Sequence, residues 1–112
     1  MSWNIQLYES PSGQKPVEEF IRSLQPNTIA KLHNQLRLLK EFGPRVGMPN
    51  AKPVGEGLFE LRVRGKEEVR TLYVFQLKEN VILLHGFKKK TMSILKRDLR
   101  IALKRKHEIE KL

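Results

Sequence analysis

The stretch 58–87 constrains this chain most. Three runs, Leu58–Arg64, Val69–Leu77 and Val81–Phe87, are dense in β-branched and aromatic residues. Short turn signals, Gly65-Lys66-Glu67 and Glu79-Asn80, separate them. Strands joined this tightly run up and down as an antiparallel meander. Such a meander needs cover for its apolar face, so the flanking sequence must supply helices.

It does. Trp3, Ile5 and Leu7 alternate with polar residues, so 3–8 reads as a strand that Ser10-Pro11-Ser12-Gly13 breaks. Val17, Phe20, Ile21 and Leu24 recur at helical spacing, with Pro16 in the first turn and Glu18 and Glu19 near its positive end. Pro26-Asn27 ends that helix, and Asn27 is placed to cap the next. Ile29, Leu32, Leu36 and Leu39 carry the second helix to about Phe42, where Gly43-Pro44 stops it. The two form a helical hairpin. Residues 43–57, with four Gly and three Pro, read as a loop. Met92, Leu95, Leu99, Ala102 and Leu103 mark a third helix. The expected architecture is α+β. A small, mostly antiparallel sheet carries the N-terminal helical hairpin on one face, and a basic C-terminal helix follows. At 112 residues, 1–112 is a single domain.

Strand register decides which side chains meet. With Gly65-Lys66-Glu67 as a three-residue loop, Arg64 faces Glu68, Val63 faces Val69, Arg62 faces Arg70, Leu61 faces Thr71 and Phe59 faces Tyr73. A one-residue slip would desolvate Arg70 among Leu61 and Val63. With Glu79-Asn80 as a two-residue loop, Val74 faces His85, Leu72 faces Phe87 and Arg70 faces Lys89. One face then carries Phe59, Leu61, Val63, Tyr73, Phe75, Ile82 and Leu84, the bed for the hairpin. The other, open, carries Glu60, Arg62, Arg70, His85, Phe87 and Lys89. Arg62 against Arg70 is repulsive unless an anion sits between them, and guanidinium forks suit phosphate. Phe87 offers a flat surface for a base. The plainer readings are solvated arginines, a Glu60 that neutralises Arg62, and a His85 that packs. His33 and His107 read as incidental.

Net charge is +10, and residues 88–112 hold ten basic and three acidic side chains. That concentration reads either as a solvated helix or as a footprint for phosphates or an acidic protein. The absence of Cys excludes disulfides, thiolate metal sites and a Cys nucleophile. No His pair or carboxylate cluster has metal-ligand spacing, and Gly55-Glu56-Gly57 is too short for a phosphate loop. No apolar run is long enough to span a membrane, and Met1-Ser2-Trp3-Asn4 does not begin like a signal peptide, so a cytoplasmic location is expected.

Lys52-Pro53-Val54, Gly57-Leu58-Phe59-Glu60-Leu61-Arg62, Val69-Arg70-Thr71-Leu72-Tyr73 and Leu83-Leu84-His85-Gly86-Phe87-Lys88-Lys89-Lys90-Thr91 occur in that order. Together they resemble the RelE/ParE toxin superfamily, and within it the phage-derived HigB branch of type II toxin–antitoxin systems. The similarity runs from the first strand to the basic tail. It implies a RelE-like fold and a ribosome-dependent mRNA interferase, in which the ribose 2′-hydroxyl attacks the adjacent phosphate with no metal or cofactor. It also implies a cognate helix-turn-helix (HigA-like) antitoxin, with the ribosome and mRNA as further partners and no membrane.

Carried over by position, the resemblance makes Arg62, its acidic neighbour Glu60, Arg70 and Lys89 the catalytic group. Arg70 and Lys89 hold the scissile phosphate, Arg62 assists, and Glu60 orients Arg62 or accepts a proton. Lys52, Phe87, Lys88 and Lys90 would contact RNA, and Arg97 and Lys104 on the last helix would track ribosomal RNA. After Thr91 the branch's polar stretch and Pro are replaced by Met92-Ser93-Ile94-Leu95, which leaves the start and angle of the last helix open. No general acid is evident, and His85 serves only if its ring reaches the open face. The alternatives are a ParE-like toxin acting on gyrase and a non-catalytic basic RNA- or ribosome-binding module.

Overall fold

A computed structural model describes residues 2–111. In chain order they form β1 (Asn4–Leu7), α1 (Pro16–Arg22), α2 (Pro26–Phe42), a short 3-10 turn (Gly43–Arg45), β2 (Ala51–Gly55), β3 (Leu58–Val63), β4 (Val69–Gln76), β5 (Asn80–Lys88) and α3 (Lys96–Glu110). The strands make one sheet in the order β1-β5-β4-β3-β2. It is antiparallel except where β1 runs parallel to β5. The chain is therefore a small α+β domain whose mixed sheet is flanked by N- and C-terminal helices, the last rich in basic residues.

Two neighbours on β5 show which helices lie where. Successive strand residues point to opposite faces, so Gly86 and His85 look opposite ways. Phe20 of α1 lies against Gly86, 2.5 Å from where a Cβ would stand. His85 reaches Asp98 of α3 at 2.8 Å. The helical hairpin and α3 thus cover opposite sides of the sheet. On the hairpin side, Leu61, Val63, Tyr73 and Leu83 are buried with Val17, Leu32 and Leu39. Each such aliphatic side chain contributes about 1.5–3 kcal/mol on burial. Phe59, Tyr73, Phe75 and Trp3 interlock there, with ring centroids 5.0–5.7 Å apart. On the other side, Leu72, Val74 and Ile82 are buried, and so is Ala102 of α3.

The β3–β4 register is the expected one, from Phe59 opposite Tyr73 to Val63 opposite Val69. The β4–β5 register differs. The turn is three residues, Leu77-Lys78-Glu79, with Lys78 and Glu79 at positive φ, and Asn80 already pairs with Gln76. A bulge then intervenes, because Tyr73 pairs with Leu83 and Leu72 with His85, leaving Leu84 between them unpaired. Arg70 consequently faces Phe87, not Lys89. Ile82 pairs with Val74 on the α3 side rather than lying under the hairpin.

Three further expectations are corrected. Residues 51–55 are not loop. They form β2, whose Pro53 is tolerated because the strand is at the sheet's edge. Asn27 does not cap α2. The helix begins at Pro26, and Glu67 from the β3–β4 loop accepts from the Gln25 amide (3.1 Å) and the Thr28 hydroxyl (2.6 Å). Met92 and Leu95 fall outside α3. Met92 is exposed and Leu95 precedes the first turn, where Asp98 is favourably placed against the helix dipole.

Candidate functional site

The β3–β4 pairing brings Arg62 and Arg70 directly across from each other, with Glu60 two residues along β3 on the same face. Arg62 Nε donates to Glu60 Oε1 at 3.0 Å, and Arg70 Nε stands 3.7 Å from Oε2. One carboxylate therefore separates two like charges. The expectation of an open face is corrected. Glu60 is fully buried, and Arg62 and Arg70 keep 10% and 5% of their side-chain surface. The face they share is the one on which α3 lies.

Glu60 lies buried with its Oε1 bonded to Arg62 and its Oε2 turned to Arg70. Its role is to hold them. The pairing is incomplete, since Glu60 Oε2 and Arg70 Nε make no hydrogen bond among the described residues. Arg70 also spends Nη1 on the Val69 carbonyl (3.0 Å) and on Glu68 (3.3 Å). Neither terminal nitrogen of Arg62 has a partner among the described residues.

The other expected residues divide. Phe87 lies opposite Arg70 and stacks on His85, with centroids 5.5 Å apart. Lys89 follows the strand, its amide bonded to the Glu68 carbonyl at 2.8 Å, so by alternation it falls on the Arg70 face, one pair beyond. Lys52 of β2 pairs with Glu60 and is half-buried. Lys88 points the other way, into an ion pair with Glu67 at 2.8 Å. That bond, with those from Thr28 and the Gln25 amide, holds the Glu67 carboxyl down at about 2. Lys88 thus ties β5 to the β3–β4 loop. Lys90 and Arg97 are exposed. With Phe87, Lys89, Leu95 and Asp98 they line a cleft of about 330 Å³ between the end of β5 and the start of α3. Lys104 lies outside that cleft, in an exposed stripe with Arg97, Arg100, His107 and Lys111. At 1.5 Å per residue the stripe is about 21 Å long.

Sequence reasoning missed a partner. Asp98, buried in the first turn of α3, receives the His85 ring. Burial lowers the His85 pKa below its usual value, against the opposing pull of Asp98. The only advance sign was an acid set among the basic residues that open the last helix. A second anchor lies farther along α3. Tyr8 bonds Glu108, and Arg105 sits over the Tyr8 ring at 5.0 Å while donating to the Leu84 carbonyl at 2.8 Å. A cleft of about 900 Å³ opens at that end, lined by Leu7, Tyr8, Val74, Ile82 and Ile109 among others, away from the arginines.

Among the described residues no group of three His, Cys, Asp or Glu could hold a metal ion. None of their helices is long and apolar enough to cross a membrane. Fold and site together define a small basic α+β domain with a recessed arginine–carboxylate cluster beside a lysine-lined cleft. Residues 19–107 match the family described as Phage derived protein Gp49-like (DUF891), and the chain belongs to that family. No curated protein matches it.

Proposed function

We propose that this protein is the toxin of a type II toxin–antitoxin pair, with a RelE-like fold of the HigB branch, acting as a ribosome-dependent mRNA interferase in the cytoplasm. The observation that carries the reading is the Arg62–Arg70 pair, set directly opposite across two strands and held by one buried carboxylate. Like charges so placed are unfavourable alone. They become useful when a phosphate gains negative charge in a transition state. Arg70 and Lys89 hold the scissile phosphate, Arg62 binds a neighbouring oxygen, and Glu60 fixes both guanidinium planes. Phe87 receives a base, while Lys52, Lys90 and the α3 stripe, Arg97 and Lys104 included, meet the surrounding RNA. No step runs through a metal or cofactor. The partners are mRNA on the ribosome and a helix-turn-helix antitoxin of the HigA kind.

Induced expression of the chain alone is expected to arrest growth, with codon-linked cuts in primer extension on cellular mRNA. Arg70→Ala is expected to restore growth while the purified variant keeps its circular dichroism spectrum. A fully toxic Arg70→Ala variant would sink the assignment, as would intact messages accompanied by DNA damage, the signature of a gyrase poison. The slight exposure of Arg62 and Arg70 favours a second reading, a non-catalytic module that grips ribosomal RNA through α3. That reading expects salt-sensitive binding and no cuts.

A further inference from the structure

We propose that His85 is the general base of this site and that Asp98 positions it. The inference rests on the ribonuclease reading above and names the group that activates its nucleophile.

The argument starts from the hydrogen bond. An ionised carboxylate only accepts, so the 2.8 Å contact to Asp98 Oδ1 requires the proton on His85 Nε2. That leaves Nδ1 with its lone pair free. Nδ1 has no partner among the described residues, and the side chain keeps 13% of its surface exposed. A buried carboxylate that fixes the tautomer while the opposite nitrogen stays open is the arrangement of a base and its orienting group.

Placement agrees. His85 pairs with Leu72 and Arg70 with Phe87, so His85 and Arg70 are diagonal neighbours on one face. Such neighbours lie roughly 7–8 Å apart, a gap that one ribose–phosphate unit spans. Phe87 stacks on the imidazole at 22°, limiting its rotation. Asp98 and Phe87, the two groups in contact with the imidazole, both line the lysine-bordered cleft, so His85 adjoins it. The charged groups facing the ring are Asp98, Arg97 and Arg105 of α3 and, diagonally on β4, Arg70, while the residue directly across is the uncharged Leu72. His33 and His107 are exposed on α2 and α3 and share none of these features.

The step balances simply. Nδ1 takes the proton from the 2′-hydroxyl as the O2′–P bond forms. The P–O5′ bond breaks, O5′ takes a proton from water, and the products are a 2′,3′-cyclic phosphate end and a 5′-hydroxyl end. His85 later returns its proton to solvent.

The experiment uses the full chain with programmed ribosomes and defined mRNA. His85→Asn is expected to cut 10²–10⁴-fold more slowly, the range for losing a general base, with ribosome binding unchanged. Asp98→Asn is expected to slow cutting less and, in ¹⁵N spectra of the imidazole, to move the proton from Nε2 to Nδ1. The unaltered protein is expected to show the Nε2–H form at pH 7, a readout independent of activity and of any folding loss in the variants. An Nδ1–H form in the unaltered protein, or undiminished cutting by His85→Asn, overturns the assignment of His85 alone. Absence of cutting by the unaltered protein overturns the ribonuclease reading and this inference with it. Diminished cutting by Arg70→Ala alongside full cutting by His85→Asn keeps the former and removes the latter.

Discussion

Two clusters of acid and base flank the β3–β4 hairpin and differ in how completely their charges are satisfied. Glu67 in the loop accepts from Lys88, Thr28 and the Gln25 amide, so its bonds join three parts of the fold. Glu60 in the strand holds two guanidinium groups, bonds one and leaves an oxygen unpartnered among the described residues. The first is saturated and faces the helical hairpin's side. The second is buried, under-bonded and backed by surplus positive charge. A saturated cluster has finished its work when the chain folds. An unsaturated one keeps bonding capacity for something else.

Substitution at the two carboxylates gives the sharpest contrast. Glu60→Gln leaves two buried guanidinium groups facing each other and is expected to lower unfolding stability by about 3–5 kcal/mol, as loss of one buried ion partner does. Urea unfolding at neutral pH measures it, and a loss below about 1 kcal/mol would mean the cluster is effectively solvated. Glu67 acts through pH. Its folded pKa is depressed to about 2 from an ordinary 4.5, so its contribution is complete above the ordinary value and lost as pH falls through about 2. Glu67→Gln is expected to flatten the acid limb of a stability–pH curve in that window and to converge with the parent below it. A variant curve parallel to the parent's would show that Glu67 is not the group titrating. The smallest effect belongs to the α3 stripe. Lys104→Ala is expected to reduce the slope of log K against log salt for single-stranded RNA by about 0.7, with little change in stability. An unchanged slope would place the RNA path elsewhere.

These differences also mark where sequence reading succeeds. The Arg62–Arg70 pairing was legible because a short glycine-containing loop and strict apolar alternation leave a single register that keeps charge out of the core. The β4–β5 register was not, because Lys78 and Glu79 adopt left-handed backbone without being glycine and Leu84 adds a residue that periodicity cannot reveal. β2 hid among Gly and Pro residues that an edge strand tolerates. Glu60 reads as a surface acid because its burial depends on tertiary packing. The same holds for His85 and Asp98, which meet only because α3 crosses β5 there. Met92 and Leu95 are in phase with α3 by coincidence, and phase alone cannot say where a helix starts.

Leu84 has the widest consequence. From the turn, β5 is read against β4 in one frame as far as Leu83, and past Leu84 in another. Had the first frame continued, Gly86 would oppose Arg70 and His85 would oppose Thr71, turning the imidazole toward α1. One supernumerary residue thus acts as a spatial frameshift that swaps the two sides of the sheet for the rest of the strand. Deleting Leu84 would join the two frames without a bulge, His85 still opposite Leu72 and Phe87 still opposite Arg70, so the inside and the outside of the site would be exchanged only if Leu84 stayed and took a place in the ladder.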